Sequence, residues 1–72
     1  MKFPEKARKL REARNLSTRM LEEEVGVSHS QIVKYENGQT EPTLSVLRAY
    51  SKFFGVTLDY LCRDEEEDVK KR

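Results

Sequence analysis

The chain has 72 residues, with 14 Lys and Arg against 13 Asp and Glu, for a formal net charge of +1. This length supports one domain with one small core, and a single cysteine excludes an intramolecular disulfide. The longest uncharged apolar stretch, residues 53–58, is far too short to span a bilayer, and the charged first residues lack a signal peptide. We therefore expect a cytoplasmic protein, and the near-neutral charge alone does not indicate nucleic acid as a partner.

Helix-capping residues and glycines divide the first half of the chain into short helices. Pro4 suits the first turn of a first helix, which residues 15–17 interrupt. Ser17 is a capping residue for a second helix over 18–25, and Gly26 provides the position of positive φ that ends it.

A third helix follows almost at once. Ser28 caps it, Gln31 occupies the capping-box position, and Asn37-Gly38 is a helix C-terminus signature. Placed at about 100° per residue, this helix has two chemically different faces. The face that we expect to be buried contains Ser28, Ile32, Tyr35 and Glu36. The opposite face contains Ser30, Val33, Lys34 and Asn37, whose groups can contact base edges and phosphates.

The second half of the chain predicts two more helices. Thr43 caps a fourth helix that runs to Phe54, and Thr57 caps a fifth. We expect core residues from this half at Leu44, Leu47, Tyr50, Phe54, Val56, Leu58 and Leu61. No segment alternates apolar and polar residues as strands do. The prediction is an all-α, compact five-helix domain over 1–63, with 64–72 as a charged tail whose Glu–Lys pairs would support an extension of helix five.

Residues 16–61 resemble the Xre/Cro-type helix-turn-helix regulators, which have the lambda-repressor-like five-helix fold. The matching residues are Leu16-Ser17, Leu21, Val25-Gly26-Val27-Ser28, Ile32, Tyr35-Glu36-Asn37-Gly38, Pro42 and Gly55-Val56-Thr57-Leu58-Asp59-Tyr60-Leu61, with Leu10-Arg11 in helix one. The ordered combination is specific, although any single piece would be weak. The resemblance implies a small transcriptional regulator, a repressor in our interpretation, that binds double-stranded DNA without a cofactor or metal.

The same resemblance implies roles for individual residues, with helices two and three forming the helix-turn-helix and helix three in the major groove. Base contacts are expected from His29, Ser30, Val33 and Lys34. Phosphate contacts are expected from Ser17, Thr18, Gln31, Asn37, Gly38 and Thr40. Arg11 and Glu36 match a buried salt bridge between helices one and three. Relatives often pair on palindromic operators through their last helices, so Val46, Phe53 and Tyr60, which look surplus to the core, form a candidate homodimer seam.

Two residues depart from the family pattern. Thr18 replaces the usual glutamine at the start of helix two, which shortens a phosphate and base contact. Glu22 replaces an alanine where helices two and three approach closely. A buried glutamate without a partner would cost several kcal/mol. We therefore expect Glu22 to bend outward, pair with Lys34 or Arg48, or open the crossing angle.

Other interpretations remain open at this point. The departures and the near-neutral charge also fit an antitoxin-like or adaptor module that binds protein and has weak DNA affinity. Ser30, Lys34 and His29 could be a solvated surface, and the seam residues could simply be partly exposed. Cys62 is expected to be a half-buried apolar residue. RNA binding is disfavoured, because the sequence lacks the exposed aromatic residues on which single-stranded bases would stack. An enzyme is disfavoured, because the sequence shows no arrangement of a nucleophile with a base.

Overall fold

The structure, a computed structural model, describes residues 2–63. It contains the helices α1 (Phe3–Ala13), α2 (Thr18–Val25), α3 (His29–Glu36), α4 (Leu44–Phe54) and α5 (Leu58–Cys62), and no strand occurs within this range. The prediction of an all-α five-helix domain is confirmed. The prediction for residues 64–72 falls outside the described residues.

Local capping explains where the helices begin and end. The side-chain oxygens of Ser17, Ser28, Thr43 and Thr57 each accept a hydrogen bond from the backbone N–H three residues further on. These bonds satisfy amides that have no acceptor inside their own helix. Gly26 ends α2 with φ of 73°, a left-handed conformation that a residue with a side chain adopts at a cost. The turn between α2 and α3 is therefore short and sharply defined.

All five helices contribute to one core. The buried apolar residues that form it are Ala7, Leu21, Val25, Ile32, Tyr50, Phe54 and Leu61. Phe3 extends the cluster, because its ring packs edge-on against Tyr35 and Tyr50 with centroid distances of 6.4 and 5.5 Å. Helix α3 packs against α1 and α2, so its inner side is covered from two directions.

Lys6 closes the fold between the first helix and the last. Its side chain is fully buried, and its ammonium group donates to the carbonyl oxygens of Tyr60 and Arg63 at the end of α5. The same group lies 4.6 Å from the centroid of the Tyr60 ring. A cation favours the negative end of a helix dipole, and the ring face adds a cation–π contact.

The structure corrects several assignments of burial. Leu44 was predicted to be in the core but is 57% exposed, because it is the first residue of α4, where the helix begins. Cys62 is exposed rather than half-buried. Ser28 is exposed, since it lies before the first turn of α3 as its cap.

The seam residues are not surplus to the core. Val46, Phe53 and Tyr60 are half-buried and pack against the core cluster.

Within residues 2–63, no helix has the length and apolar character needed to cross a membrane.

Candidate nucleic-acid interface

Helix α3 has the two faces that its sequence predicts. Ile32 and Tyr35 are 0% and 3% exposed on its inner side, and Glu36 is buried beside them. On the outer side, Ser30, Val33, Lys34 and Asn37 are exposed, with His29 and Gln31 half-buried at the flanks. A hydroxyl, an ammonium, an amide and a methyl-bearing side chain therefore share one solvent-facing surface. We call these four residues the outer face of α3.

The C-terminal end of α3 is held by an ion pair with α1. The Arg11 guanidinium donates from Nε and Nη2 to the two carboxylate oxygens of Glu36, at 2.7 and 2.9 Å. Its Nη1 donates to the carbonyl of Leu16 at 2.7 Å, just before α2. The hydrogen bond to Glu36 raises the pKa of Arg11, against the opposing effect of burial. One partly buried cation thus holds α1, the entrance to α2 and the end of α3 together. The resemblance implied the bridge between α1 and α3 but not the bond to Leu16.

The N-terminal end of α3 is held by Glu22, in a way that the sequence did not predict. Oε1 of Glu22 accepts a hydrogen bond from the backbone N–H of His29 at 3.1 Å. The expected pairing with Lys34 or Arg48 was wrong: the side chain reaches across the turn to His29 instead of bending outward, and it forms no ion pair with either base among the described residues. The expected opening of the crossing angle stays a prediction. An exposed first-turn amide is a natural partner for a carboxylate, because the helix dipole adds positive charge there.

The start of α2 offers a second polar surface. Ser17 is exposed and Thr18 is half-buried. The Ser17 hydroxyl accepts from the N–H of Met20 at 3.1 Å, which leaves the first amides of α2 without a side-chain acceptor among residues 2–63. Helix N-termini with exposed amides bind anions such as phosphate.

The residues after α3 lie in the connection to α4. Asn37 and Gly38 are exposed, and Gly38 has φ of 75°. Thr40 is half-buried and lines a cavity of about 500 Å³ together with Phe3, Pro4 and other residues. Two of the three predicted contacts in this connection are therefore openly accessible, and Thr40 is turned partly toward the protein.

The seam residue Phe53 has a partner within the chain. The guanidinium of Arg14 lies 5.0 Å from the Phe53 ring centroid and donates to the Phe53 carbonyl at 3.1 Å. The Phe53 ring also packs edge-on against Phe54, at 4.9 Å between centroids. One side of Phe53 is thus covered by its own chain.

Within the part of the chain that the structure describes, no group of three or more His, Cys, Asp or Glu side chains could hold a metal ion.

A five-helix domain that carries a polar outer face on the second of two helices joined by a tight turn is a helix-turn-helix protein. A profile described as "Helix-turn-helix" matches residues 8–61, three quarters of the chain. The chain belongs to this family, and specifically to its Xre/Cro-type regulators.

Two transcriptional regulators are similar to this chain along most of its length. The chain is 42% identical over 66 residues to the HTH-type transcriptional activator BcrR of Enterococcus faecalis, covering 92% of this chain and 32% of BcrR. It is 30% identical over 70 residues to the cryptic phage CTXphi transcriptional repressor RstR of Vibrio cholerae, covering 97% of this chain and 63% of RstR. The chain therefore spans about a third of one relative and under two thirds of the other.

Among solved structures, the fold matches the P22 c2 repressor in complex with synthetic operator 9T, crystallised in the presence of Tl⁺. The TM-score is 0.82 at 32% identity, over 88% of this chain and 96% of that one. The complex is that of a repressor with DNA, whereas BcrR is an activator. The relatives thus include both directions of regulation.

Two interactions of charged residues were not predicted from the sequence, one at this site and one between α1 and α5. The contact between Glu22 and His29 joins residues seven apart across Gly26, a spacing that fits a side chain bridging a tight turn. Lys6 lies next to Ala7 on the buried side of α1, and its ammonium group reaches the end of α5, more than 50 residues away in the sequence. Charged residues are seldom fully buried without a partner, and the partner in each case is a backbone group that the sequence does not identify.

Proposed function

We propose that this chain binds a short duplex operator with sequence specificity and regulates transcription, as a repressor, by occupying it. The observation that carries the proposal is the outer face of α3. It presents exposed hydrogen-bonding groups on a helix whose inner side is buried and whose two ends are held by Glu22 and Arg11. Rigid presentation of a few side chains is what reading of base edges requires.

The proposed base contacts follow from the chemistry of each side chain. Lys34 can donate to guanine O6 and N7, or to a phosphate, and Ser30 can donate or accept. Val33, 39% exposed, provides an apolar surface for a thymine methyl group. His29 is half-buried with its backbone amide already bonded, so its imidazole is the group available to a base.

Phosphate contacts would set the register of the helix on the duplex. The first amides of α2, with Ser17 and Thr18, suit a phosphate on one side of the groove. Asn37, Gly38 and Thr40 would approach the other side, and Gln31 lies at the flank of α3 between them. The shorter Thr18 in place of glutamine reduces this contact, so we expect the affinity of one copy to be modest.

A homodimer on a palindromic operator would compensate for that modest affinity. Two copies that meet near Val46, Phe53 and Tyr60 would place two α3 helices on half-sites about one helical turn apart. These residues are half-buried rather than fully exposed, so the seam would be shallow. Dimerisation would then depend on DNA.

Selection of bound sequences from a random duplex library tests the proposal. We expect enrichment of a palindrome, and sedimentation should give two chains per duplex. Affinity for the selected site should fall steeply with salt. A plot of the logarithm of the binding constant against the logarithm of the salt concentration should have a slope of about −0.9 per neutralised phosphate. An in vitro transcription assay from a promoter that overlaps the site should show repression. Failure to enrich any sequence, with binding insensitive to salt, would contradict the proposal and favour the protein-binding adaptor.

A further inference from the structure

The first turn of α3 is capped from outside its own helix. The N–H groups in this turn have no acceptor within α3. Ser28 Oγ accepts from Gln31 N at 3.3 Å, and Glu22 Oε1 accepts from His29 N at 3.1 Å. The second bond comes from α2, so it links the two helices of the helix-turn-helix as well as capping one of them.

Glu22 differs in this respect from the two acidic residues that follow it. Glu23 and Glu24 are exposed, whereas Glu22 is half-buried between α2 and α3. A carboxylate that leaves water needs a compensating partner, and a charge-assisted bond to a helix N-terminus is a strong one. The His29 amide supplies that partner.

The ends of α3 are fixed by different elements. Glu36 ties the C-terminal end to α1 through Arg11, while Glu22 ties the N-terminal end to α2. The start of α2 carries the proposed phosphate site, and the first turns of α3 carry Ser30. The distance between a bound phosphate and the bases that α3 reads is therefore governed by the geometry that Glu22 spans.

We propose that Glu22 is a positioning residue for sequence recognition: its hydrogen bond to His29 sets α3 relative to α2, and so decides discrimination between the operator and other DNA. This inference rests on the proposed function. Hydrogen bonds to base edges tolerate only a few tenths of an ångström, whereas contacts between charged groups and phosphates are long-ranged. Loss of the hydrogen bond between Glu22 and His29 should therefore lower the affinity for the operator more than the affinity for other DNA.

Four variants separate this role from an effect of charge. Glu22→Ala removes the acceptor, and Glu22→Gln keeps an acceptor oxygen without the charge. Glu24→Ala and Glu24→Gln are the matched controls, since they remove the same charge from an exposed position on the same helix. Affinities for the selected operator and for an unrelated duplex of equal length are measured at one salt concentration, and their ratio cancels the general gain from losing a negative charge.

Glu22→Ala should lower that ratio roughly fivefold, the equivalent of losing a typical helix cap. Glu22→Gln should restore most of the ratio, and both Glu24 variants should keep it. A ratio unchanged in Glu22→Ala, or a loss equal in Glu24→Ala, would overturn the proposal. If the alanine variant folds poorly, Glu22→Met keeps the side-chain length without an acceptor and gives the same test.

Amide hydrogen exchange tests the contact independently of DNA. The His29 N–H should be protected in the wild-type chain and in Glu22→Gln, and should exchange faster in Glu22→Ala, while the Gln31 N–H stays protected by Ser28. Equal exchange of His29 in all variants would overturn the inference. A chain that passes this test but does not prefer any duplex sequence would instead contradict the proposed function.

Discussion

Arg11 and Glu36 form a side-on ion pair, with the Nε and Nη2 groups of the arginine bonded to separate carboxylate oxygens at 2.7 and 2.9 Å. The two side chains are 15% and 5% exposed, so the pair is shielded from water and salt. Its main effect is geometric, because the third donor of the same guanidinium holds the Leu16 carbonyl. Helix α3 therefore owes its placement to a charge network as well as to apolar packing.

Breaking that pair from one side should be severely destabilising. Glu36→Gln or Arg11→Met leaves a buried charge with no counterion, which typically costs about 3–5 kcal/mol. We expect either variant to lose most of the cooperative urea transition followed by circular dichroism. The double variant Arg11→Met with Glu36→Met should recover much of the loss, because no charge remains buried. Single variants within about 0.5 kcal/mol of the wild-type stability would show that the pair is solvated.

Ile32 and Val33 are adjacent on α3 but face opposite ways. Ile32 is fully buried and Val33 is 39% exposed. Ile32→Ala opens a cavity and should reduce the free energy of unfolding by about 2–5 kcal/mol. Val33→Ala, the matched control on the same helix, should leave stability nearly unchanged and instead weaken operator binding. Equal losses of stability in urea denaturation would mean that α3 is rotated from the orientation described above.

Lys34 is expected to contribute to binding and not to stability. Lys34→Ala should weaken binding to the selected operator about tenfold or more, the usual range for a base contact, with the melting temperature unchanged to within a few degrees. Lys52→Ala removes the same charge from an exposed position on α4 and should have a much smaller effect. Equal effects of the two variants on affinity would indicate that only net charge matters. A large drop in melting temperature would indicate that Lys34 is structural.

Tyr50 should make stability fall at alkaline pH. Its hydroxyl is buried with no hydrogen-bond partner in the described part of the chain, and desolvation by burial raises its pKa above the ordinary value of about 10. The folded state thus holds this proton more tightly than the unfolded state. The stability that this protonated hydroxyl contributes, relative to the ionised form, is fully present below about pH 10. It is lost as the pH rises toward the pKa of Tyr50 in the folded state.

Tyr50→Phe should remove this alkaline loss and should also raise the free energy of unfolding at pH 7 by about 1 kcal/mol, because an unsatisfied buried hydroxyl is deleted. Tyr60→Phe is the control and should retain the alkaline loss, since Tyr50 is still present. Urea denaturation at neutral and alkaline pH measures both effects. A marked destabilisation of Tyr50→Phe at pH 7 would show that the hydroxyl has a partner in solution.

The boundaries of the helices could be predicted from the sequence because the interactions that set them are local. Each cap joins a hydroxyl to an amide three residues away, and Gly26 has the left-handed conformation that glycine adopts at little steric cost. The two faces of α3 followed for the same reason, since helical periodicity sorts side chains without knowledge of the partner helix. The family followed from the order of these local signals along the chain.

Tertiary structure alone decided the partners of Glu22 and Lys6 and the limits of the core. Glu22 meets the His29 amide only because α2 and α3 cross at a particular angle, and Lys6 is buried only because the end of α5 lies over it. Leu44 is apolar yet exposed, because periodicity identifies a face but not where along a helix its neighbours stop. A sequence encodes short-range geometry residue by residue, whereas contacts between distant residues depend on how all five helices pack at once.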